Sequence, residues 1–220
     1  AGPLSSTGWW RDLRGDFAQV EDQGGNRMLS IRSTDSAALL ALGSLKIPEG
    51  QQRTLFFRMM PLGEPTAALQ HLVGLTDQNI RAYGDADDNI GPILYLNYDT
   101  TALDWFPGVR NGVGSAIEYG AAPLDTNAVY AVWIDMRNVP KNDPVSPYDV
   151  FSVYIQKEGA AGRTELFKDY LSDRDPVLED PVLGAMAPDL DKLFIAGNNT
   201  TDSAWFDDFY ISDTGYNTSV

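Results

Sequence analysis

Short segments that alternate apolar and polar residues recur along the whole chain, and turn-forming residues separate them. In the segment 149–156, for example, Phe151, Val153 and Ile155 occupy every second position. Such alternation places apolar side chains on one face of a β-strand. The 20 glycines and 13 prolines are spread between these segments. The pattern therefore predicts an all-β fold, an antiparallel two-sheet β-sandwich.

The predicted strands extend from near the start of the chain to near its end. They are residues 17–20, 28–31, 54–60, 69–76, 93–98, 103–106, 115–119, 129–136, 149–156, 193–196 and 205–211. Helical periodicity is weak, and we expect only short helical turns, at 36–42, 163–171 and 182–186. Two long connections, 138–147 and 172–188, lie between predicted strands. We therefore interpret them as loops and expect residues 1–220 to form a single domain.

Composition excludes several classes of function. The net charge is -15 and the sequence pI is about 4.2, so the chain would repel the phosphates of nucleic acid. Cysteine is absent, which excludes disulfides, thiolate zinc sites and cysteine nucleophiles. No apolar run approaches the ~20 residues of a membrane-spanning helix, so we expect no membrane insertion. Because the sequence begins at Ala1 without a methionine, we expect a mature or excised fragment from which any targeting segment has been removed.

Three segment pairs, taken in order, resemble the laminin G-like, concanavalin A-like domains of bacterial secreted and polysaccharide-processing proteins. They are residues 70–77 leading into 91–94, residues 129–135 paired with 148–155, and residues 191–197 followed by 204–211. The most specific piece is the closing aromatic-Asp-Asp-aromatic strand at residues 206–209. The resemblance implies a jelly-roll sandwich and a secreted, periplasmic or extracellular location. Since that group includes lectins, binding modules, hydrolases and lyases, function has to be argued from the site.

Aromatic and polar side chains on the predicted strands favour carbohydrate as the ligand. Aromatic faces stack on the apolar faces of sugar rings, while charged and amide groups bind hydroxyl or acid groups. The candidate sugar-binding residues are Arg58, Tyr95, Trp105, Arg110 and Trp133. Trp105 precedes a predicted hairpin end, where an exposed ring would be available for stacking. The first hypothesis is therefore a non-catalytic, lectin-like module that binds a polysaccharide or oligosaccharide, within a longer secreted protein.

Two alternatives remain open. Polysaccharide lyases of this fold use arginine, glutamine, histidine and tyrosine, and His71, Arg58 and Tyr95 lie on neighbouring predicted strands. A glycoside hydrolase needs two carboxylates flanking one bond, but the Glu-x-Asp-x-x-Glu run of sandwich glucanases is absent. The second alternative is an adhesion or structural domain that docks another protein through an apolar patch.

Acidic residues suggest a structural Ca²⁺, which takes six to eight oxygen ligands. Asp85 and Asp87 lie in a short acidic loop, which can equally be a solvated turn. The resemblance to jelly-roll modules implies a second candidate set, Asp207 or Asp208 with Asp16. The alternative for these residues is that an aspartate caps nearby backbone amides. Because Asp207 and Asp208 are adjacent, we expect their side chains to face opposite sides of the sheet.

Overall fold

A computed structural model provides the structure of the protein. It describes residues 10–12, 18–23, 26–31, 37–63, 69–77, 91–112, 115–140, 143, 148–172, 189–198 and 204–217. The regular structure in these ranges consists of fourteen β-strands. Their bounds are β1 (Trp10–Asp12), β2 (Ala18–Gln23), β3 (Asn26–Ile31), β4 (Ala37–Ile47), β5 (Gln52–Pro61), β6 (Leu69–Thr76), β7 (Ile93–Asp99), β8 (Asp104–Arg110), β9 (Ile117–Tyr119), β10 (Tyr130–Arg137), β11 (Val150–Lys157), β12 (Thr164–Leu171), β13 (Leu190–Asn198) and β14 (Ala204–Ile211).

The strands form two seven-stranded sheets. Sheet I has the order β1-β4-β13-β6-β7-β8-β9, and sheet II has the order β12-β11-β10-β5-β14-β3-β2. Neighbouring strands pair antiparallel in both sheets. The prediction of an all-β, antiparallel two-sheet sandwich is therefore confirmed.

The hydrophobic core lies between the two sheets. On β10, Val132, Ile134 and Met136 alternate along the strand and are fully buried in this core. Side chains of the two sheets meet there, because the ring of His71 on β6 lies 5.6 Å from the ring of Phe206 on β14. The strand alternation that was visible in the sequence thus defines which face of each strand is interior.

Two segments expected to form helical turns are strands instead. Residues 37–47 pair with β1 on one side and with β13 on the other. Residues 164–171 form an edge strand that pairs with β11. In both cases ladder hydrogen bonds with neighbouring strands outweigh the weak local helical pattern. The third segment, 182–186, lies outside the described residues, among which no helix is long and apolar enough to cross a membrane.

Candidate functional site

The outer face of sheet II carries a cluster of aromatic and charged side chains around β5, β10 and β11. Trp133 on β10 lies directly opposite Phe56 on β5 and Tyr154 on β11. Ala131 lies opposite Arg58 in the same register. Because directly opposed residues of an antiparallel pair share a face, these side chains form one surface on the side away from the core. We call it the outer face.

Closely packed aromatic rings and one guanidinium form the centre of the outer face. The rings of Phe56 and Trp133 lie 5.3 Å apart at 58°. The guanidinium carbon of Arg163 lies 4.1 Å from the centre of the Tyr154 ring and 5.8 Å from the centre of the Trp133 ring. These distances lie within the range of cation–π contacts. The packing holds the indole of Trp133 in a fixed orientation.

Two donors in this cluster lack an acceptor. Trp133 Nε1 and Arg163 Nη1 are buried and have no hydrogen-bond partner among the described residues. An indole nitrogen can only donate, and so can a guanidinium nitrogen. A buried donor without a partner costs free energy.

A pocket opens on the outer face where β10 begins and β11 ends. Its volume is about 170 Å³. The residues that line it are Phe56, Arg58, Val129, Ala131, Trp133, Gln156, Lys157 and Glu158. Pockets for drug-sized ligands span roughly 300–1,000 Å³, so this pocket fits a smaller unit.

The cations of the pocket already have carboxylate partners. Arg58 Nε lies 3.4 Å from Asp208 Oδ2, and Lys157 Nζ lies 2.7 Å from Asp125 Oδ2. The hydrogen bond and the charge of Lys157 hold the pKa of Asp125 below its usual value. Both lysine and aspartate are therefore charged at neutral pH.

A β-bulge in β14 brings Asp208 to Arg58. Asp207 lies opposite Arg58 and Tyr210 lies opposite Phe56, so β14 has one extra residue between these pairs. Asp208 adopts a φ of 54°, a conformation in which aspartate is enriched. The expectation that Asp207 and Asp208 face opposite sides is wrong, because Asp207 shares the face of Arg58 and the Asp208 carboxylate reaches the same arginine.

At the other end of the outer face a buried carboxyl interacts with a hydroxyl and a guanidinium. Thr54 Oγ1 donates a hydrogen bond to Asp135 Oδ1, and Arg163 Nη2 lies 4.0 Å from Asp135 Oδ2. Burial raises the pKa of Asp135, and the hydrogen bond from Thr54 and the charge of Arg163 oppose that rise. Asp135 is 6% exposed, so its carboxyl is largely shielded from solvent.

Residues 212–217 lie over this buried end. The backbone N–H of Asn217 donates to Thr54 Oγ1 over 2.8 Å, and the Thr54 N–H donates to Ser212 Oγ, also over 2.8 Å. Burial first, and the charge of Asp135 second, raise the pKa of Tyr216. The outer face is thus closed near Thr54 and open near Arg58.

Of the predicted sugar-binding residues, Arg58 and Trp133 meet at the pocket, whereas Trp105 does not. Trp105 is fully buried between the sheets, where its ring lies 5.3 Å from Tyr98 and 6.1 Å from His71. The expectation of an exposed ring at this position is wrong. The backbone of Leu124 pairs with Trp105 and covers that hairpin end.

Tyr95 and Arg110 lie on the opposite side of the molecule. Both point outward from sheet I, and the Arg110 guanidinium carbon is 5.5 Å from the centre of the Tyr95 ring. Tyr95 is fully buried. The three residues of the hypothetical lyase site are therefore far apart. Tyr95 is on the outer face of sheet I, His71 is in the core and Arg58 is on the outer face of sheet II.

The predicted Ca²⁺ ligands are only partly within the structure. Asp16, Asp85 and Asp87 lie outside the described residues. Asp208 is ion-paired with Arg58, and no group of three or more acidic, histidine or cysteine side chains suited to a metal occurs in the described ranges. Asp207 and Asp208 alone do not fit the oxygen-rich shell of Ca²⁺. The calcium site remains a prediction.

Several residues of the outer face were absent from the sequence-based candidates. Tyr154 and Gln156 are on the polar side of the alternating segment 149–156, so the pattern did contain a signal for them. Phe56 and Arg163 had no such signal. Phe56 is apolar on a mostly buried strand, and Arg163 follows a turn whose geometry sequence does not define.

Comparison with known proteins supports the fold. No family model matches the chain, and no curated protein sequence gives a significant match. Among solved structures, a protein of unknown function with a galectin-like fold from Bacillus subtilis has a TM-score of 0.51 at 14% identity, over 97% of this chain and 93% of that one. The globular domain of T. cruzi calreticulin has a TM-score of 0.55 at 12% identity, over 96% and 86%.

A third similar structure is xylan beta-1,4-xylosidase from Bacillus halodurans C-125, with a TM-score of 0.56 at 11% identity. The match covers 93% of this chain but 37% of that one, so the chain is similar to one part of a larger enzyme. At these identities the comparisons show a shared β-sandwich fold of the galectin-like type, and the function has to come from the site.

Proposed function

We propose that the protein is a non-catalytic, lectin-like module that binds carbohydrate in the pocket beside Trp133. The observation that carries the proposal is the buried Trp133 indole N–H, which has no acceptor among the described residues although the residue lines an open pocket. Hydroxyl and ring oxygens of a sugar are acceptors of the required kind.

The side chains around the pocket suit the two surfaces of a sugar ring. A pyranose presents an apolar face of C–H groups and an edge of hydroxyl groups. Phe56 and Trp133 supply an apolar wall, while Arg58, Gln156 and Glu158 supply donors and acceptors. Tyr210, opposite Phe56 on β14, adds an exposed ring next to the pocket. Small-molecule sites are typically lined by aromatic side chains together with a small number of polar groups.

The fold is compatible with this proposal. A β-sandwich of this type is shared with a protein described as galectin-like and with part of a xylan beta-1,4-xylosidase. We assign the chain, in finer terms, to the concanavalin A-like or laminin G-like jelly rolls, on the segments quoted from the sequence. Binding is favoured over elimination because His71, Arg58 and Tyr95 lie in different layers.

The proposal is tested by calorimetric titration with a panel of soluble polysaccharides and their oligosaccharides. We expect at least one glycan to bind, and Arg58→Ala to weaken that binding about tenfold, since hydrogen bonds from charged groups contribute about 1.5–3 kcal/mol. Arg53→Ala is the matched control, because Arg53 is on the same strand but outside the pocket. The absence of binding across the panel, or equal losses in both variants, would contradict the proposal. Release of reducing ends or unsaturated products would contradict the non-catalytic part alone.

A further inference from the structure

The donors and the ion pairs of the outer face together restrict the chemistry of the ligand. This inference rests on the proposed function and concerns the class of glycan that the pocket accepts. Trp133 Nε1 has no acceptor among the described residues, and two kinds of glycan supply one. Uronates and sulfated sugars present anionic oxygens, whereas neutral sugars present hydroxyl and ring oxygens.

The cations of the face are already neutralised. Each has a carboxylate oxygen within 4.0 Å, in the pairs Arg58–Asp208, Lys157–Asp125 and Arg163–Asp135. An acidic sugar would have to displace one of these carboxylates or accept a position beside it. Glu158 adds a further carboxylate to the pocket lining. Like charges brought together in this way are destabilising.

The net charge of the whole chain also disfavours the binding of acidic glycans. At a net charge of -15 the surface potential is negative, which disfavours the approach of a polyanion at low ionic strength. A neutral glycan has no such penalty. It also keeps the ion pairs intact, so that the groups which bind it are held in place before it arrives.

We infer that the pocket selects uncharged glycans, and that the indole N–H of Trp133 donates to one of their oxygens. The small pocket volume, about 170 Å³, limits the tightly held part of the glycan to a short stretch. Arg163 lies outside the pocket lining, where it packs against Tyr154 and pairs with Asp135.

The experiment compares neutral oligosaccharides (from xylan, cellulose and mannan) with acidic ones (from polygalacturonate and alginate), each at low and high ionic strength. Trp133→Phe keeps an aromatic ring but removes the N–H together with the five-membered part of the indole, so we expect about a fivefold loss of affinity for the neutral ligand. Trp205→Phe is the matched control. Trp205 also has a buried indole nitrogen without a partner among the described residues, but it lies on β14 and does not line the pocket. A ¹⁵N spectrum of the wild type gives a second readout, because the Trp133 indole resonance should shift when ligand binds.

The outcomes test the selection of uncharged glycans separately from carbohydrate binding itself. Neutral binding that is insensitive to salt, with a loss in Trp133→Phe alone, supports the inference. Binding of acidic glycans that weakens with salt overturns it and leaves the carbohydrate-binding function intact. Neutral binding with no change in Trp133→Phe and no shift of the indole resonance overturns the role of Trp133. No binding of any glycan refutes the proposed function itself.

Discussion

Thr54 and Asp135 lie directly opposite each other on β5 and β10, and the hydroxyl of Thr54 donates a hydrogen bond to the buried carboxylate. The same hydroxyl oxygen accepts the backbone N–H of Asn217. A single side chain therefore connects the outer face of sheet II with the segment 212–217. Because Thr54 is fully buried, neither bond can be replaced easily by one to water.

Thr54→Val should lower the free energy of unfolding by about 1–3 kcal/mol. Valine keeps the shape of threonine but leaves the Asp135 carboxylate and the Asn217 N–H without this partner. Urea denaturation at neutral pH measures the effect, with the m-value expected to stay constant. Thr164→Val on the edge strand β12 is the control, since Thr164 is exposed and its change should remain within about 0.5 kcal/mol. Equal effects in the two variants would show that the buried hydroxyl does not stabilise the protein.

Trp105→Ala should destabilise the protein by about 3–5 kcal/mol, because it removes a fully buried ring that packs on Tyr98 and His71. The measurement is urea denaturation or the melting temperature. Tyr119→Ala provides the comparison, as Tyr119 is 46% exposed and its loss should change stability little. A melting temperature that stays unchanged in Trp105→Ala would contradict the packing described for this ring.

The alternating pattern was sufficient to predict the face of most strand residues. In the segment 149–156 it placed Phe151, Val153 and Ile155 on one face, and all three are buried in the core. On β10 the same alternation holds, with Val132 and Ile134 in the core and Trp133 on the outer face. Period-two alternation is a property of the strand itself, so it is visible without knowledge of the neighbours.

The depth of a residue, unlike its face, depends on what covers it. Trp105 was expected at an exposed hairpin end, but residue 124 pairs with it from outside the hairpin. The bulge at Asp208 also needs tertiary information, because one extra residue in β14 is defined only by its pairing with β5. Contacts between segments distant in sequence, such as Asn217 with Thr54, leave no local signal. Sequence analysis therefore identified Arg58 and Trp133 as candidate site residues, but it did not predict how the site is assembled around them.

His71 should make the protein less stable as the pH falls below about 6.5. Complete burial lowers the pKa of His71 to about 3, so the folded state cannot bind a proton that the unfolded state accepts. The loss of stability begins near the unfolded pKa of about 6.5, ends near the folded value, and amounts to about 1.4 kcal/mol per pH unit between them. His71→Phe removes this contribution while keeping a ring against Trp105 and Phe206.

Urea denaturation of the wild type and His71→Phe at about pH 7 and about pH 4.5 measures this dependence. The quantity to compare is the difference in the free energy of unfolding between the wild type and the variant, because carboxylates such as Asp99 and Asp125 titrate alike in both proteins. We expect the variant to gain stability relative to the wild type at the lower pH. Parallel behaviour at the two pH values would contradict the burial of a neutral imidazole.

Asp208→Asn should change which glycans the pocket accepts. The substitution frees Arg58 from its carboxylate partner, 3.4 Å away, and leaves a cation at the pocket without compensation from Asp208. We expect the variant to gain affinity for acidic oligosaccharides, with a dependence on salt, while affinity for a neutral ligand changes less than about fivefold. Asp213→Asn, an exposed aspartate away from this pair, is the control.

The same variant distinguishes an ion pair from a metal ligand. If Asp208 acts only through Arg58, a chelator should leave the melting temperatures of the wild type and Asp208→Asn equally unchanged. If Asp208 holds Ca²⁺, the ion stabilises the native wild type, and a chelator should lower the melting temperature of the wild type more than that of the variant. The second result would overturn the assignment of Asp208 to Arg58, because a carboxylate that coordinates Ca²⁺ would not neutralise the arginine in the same way.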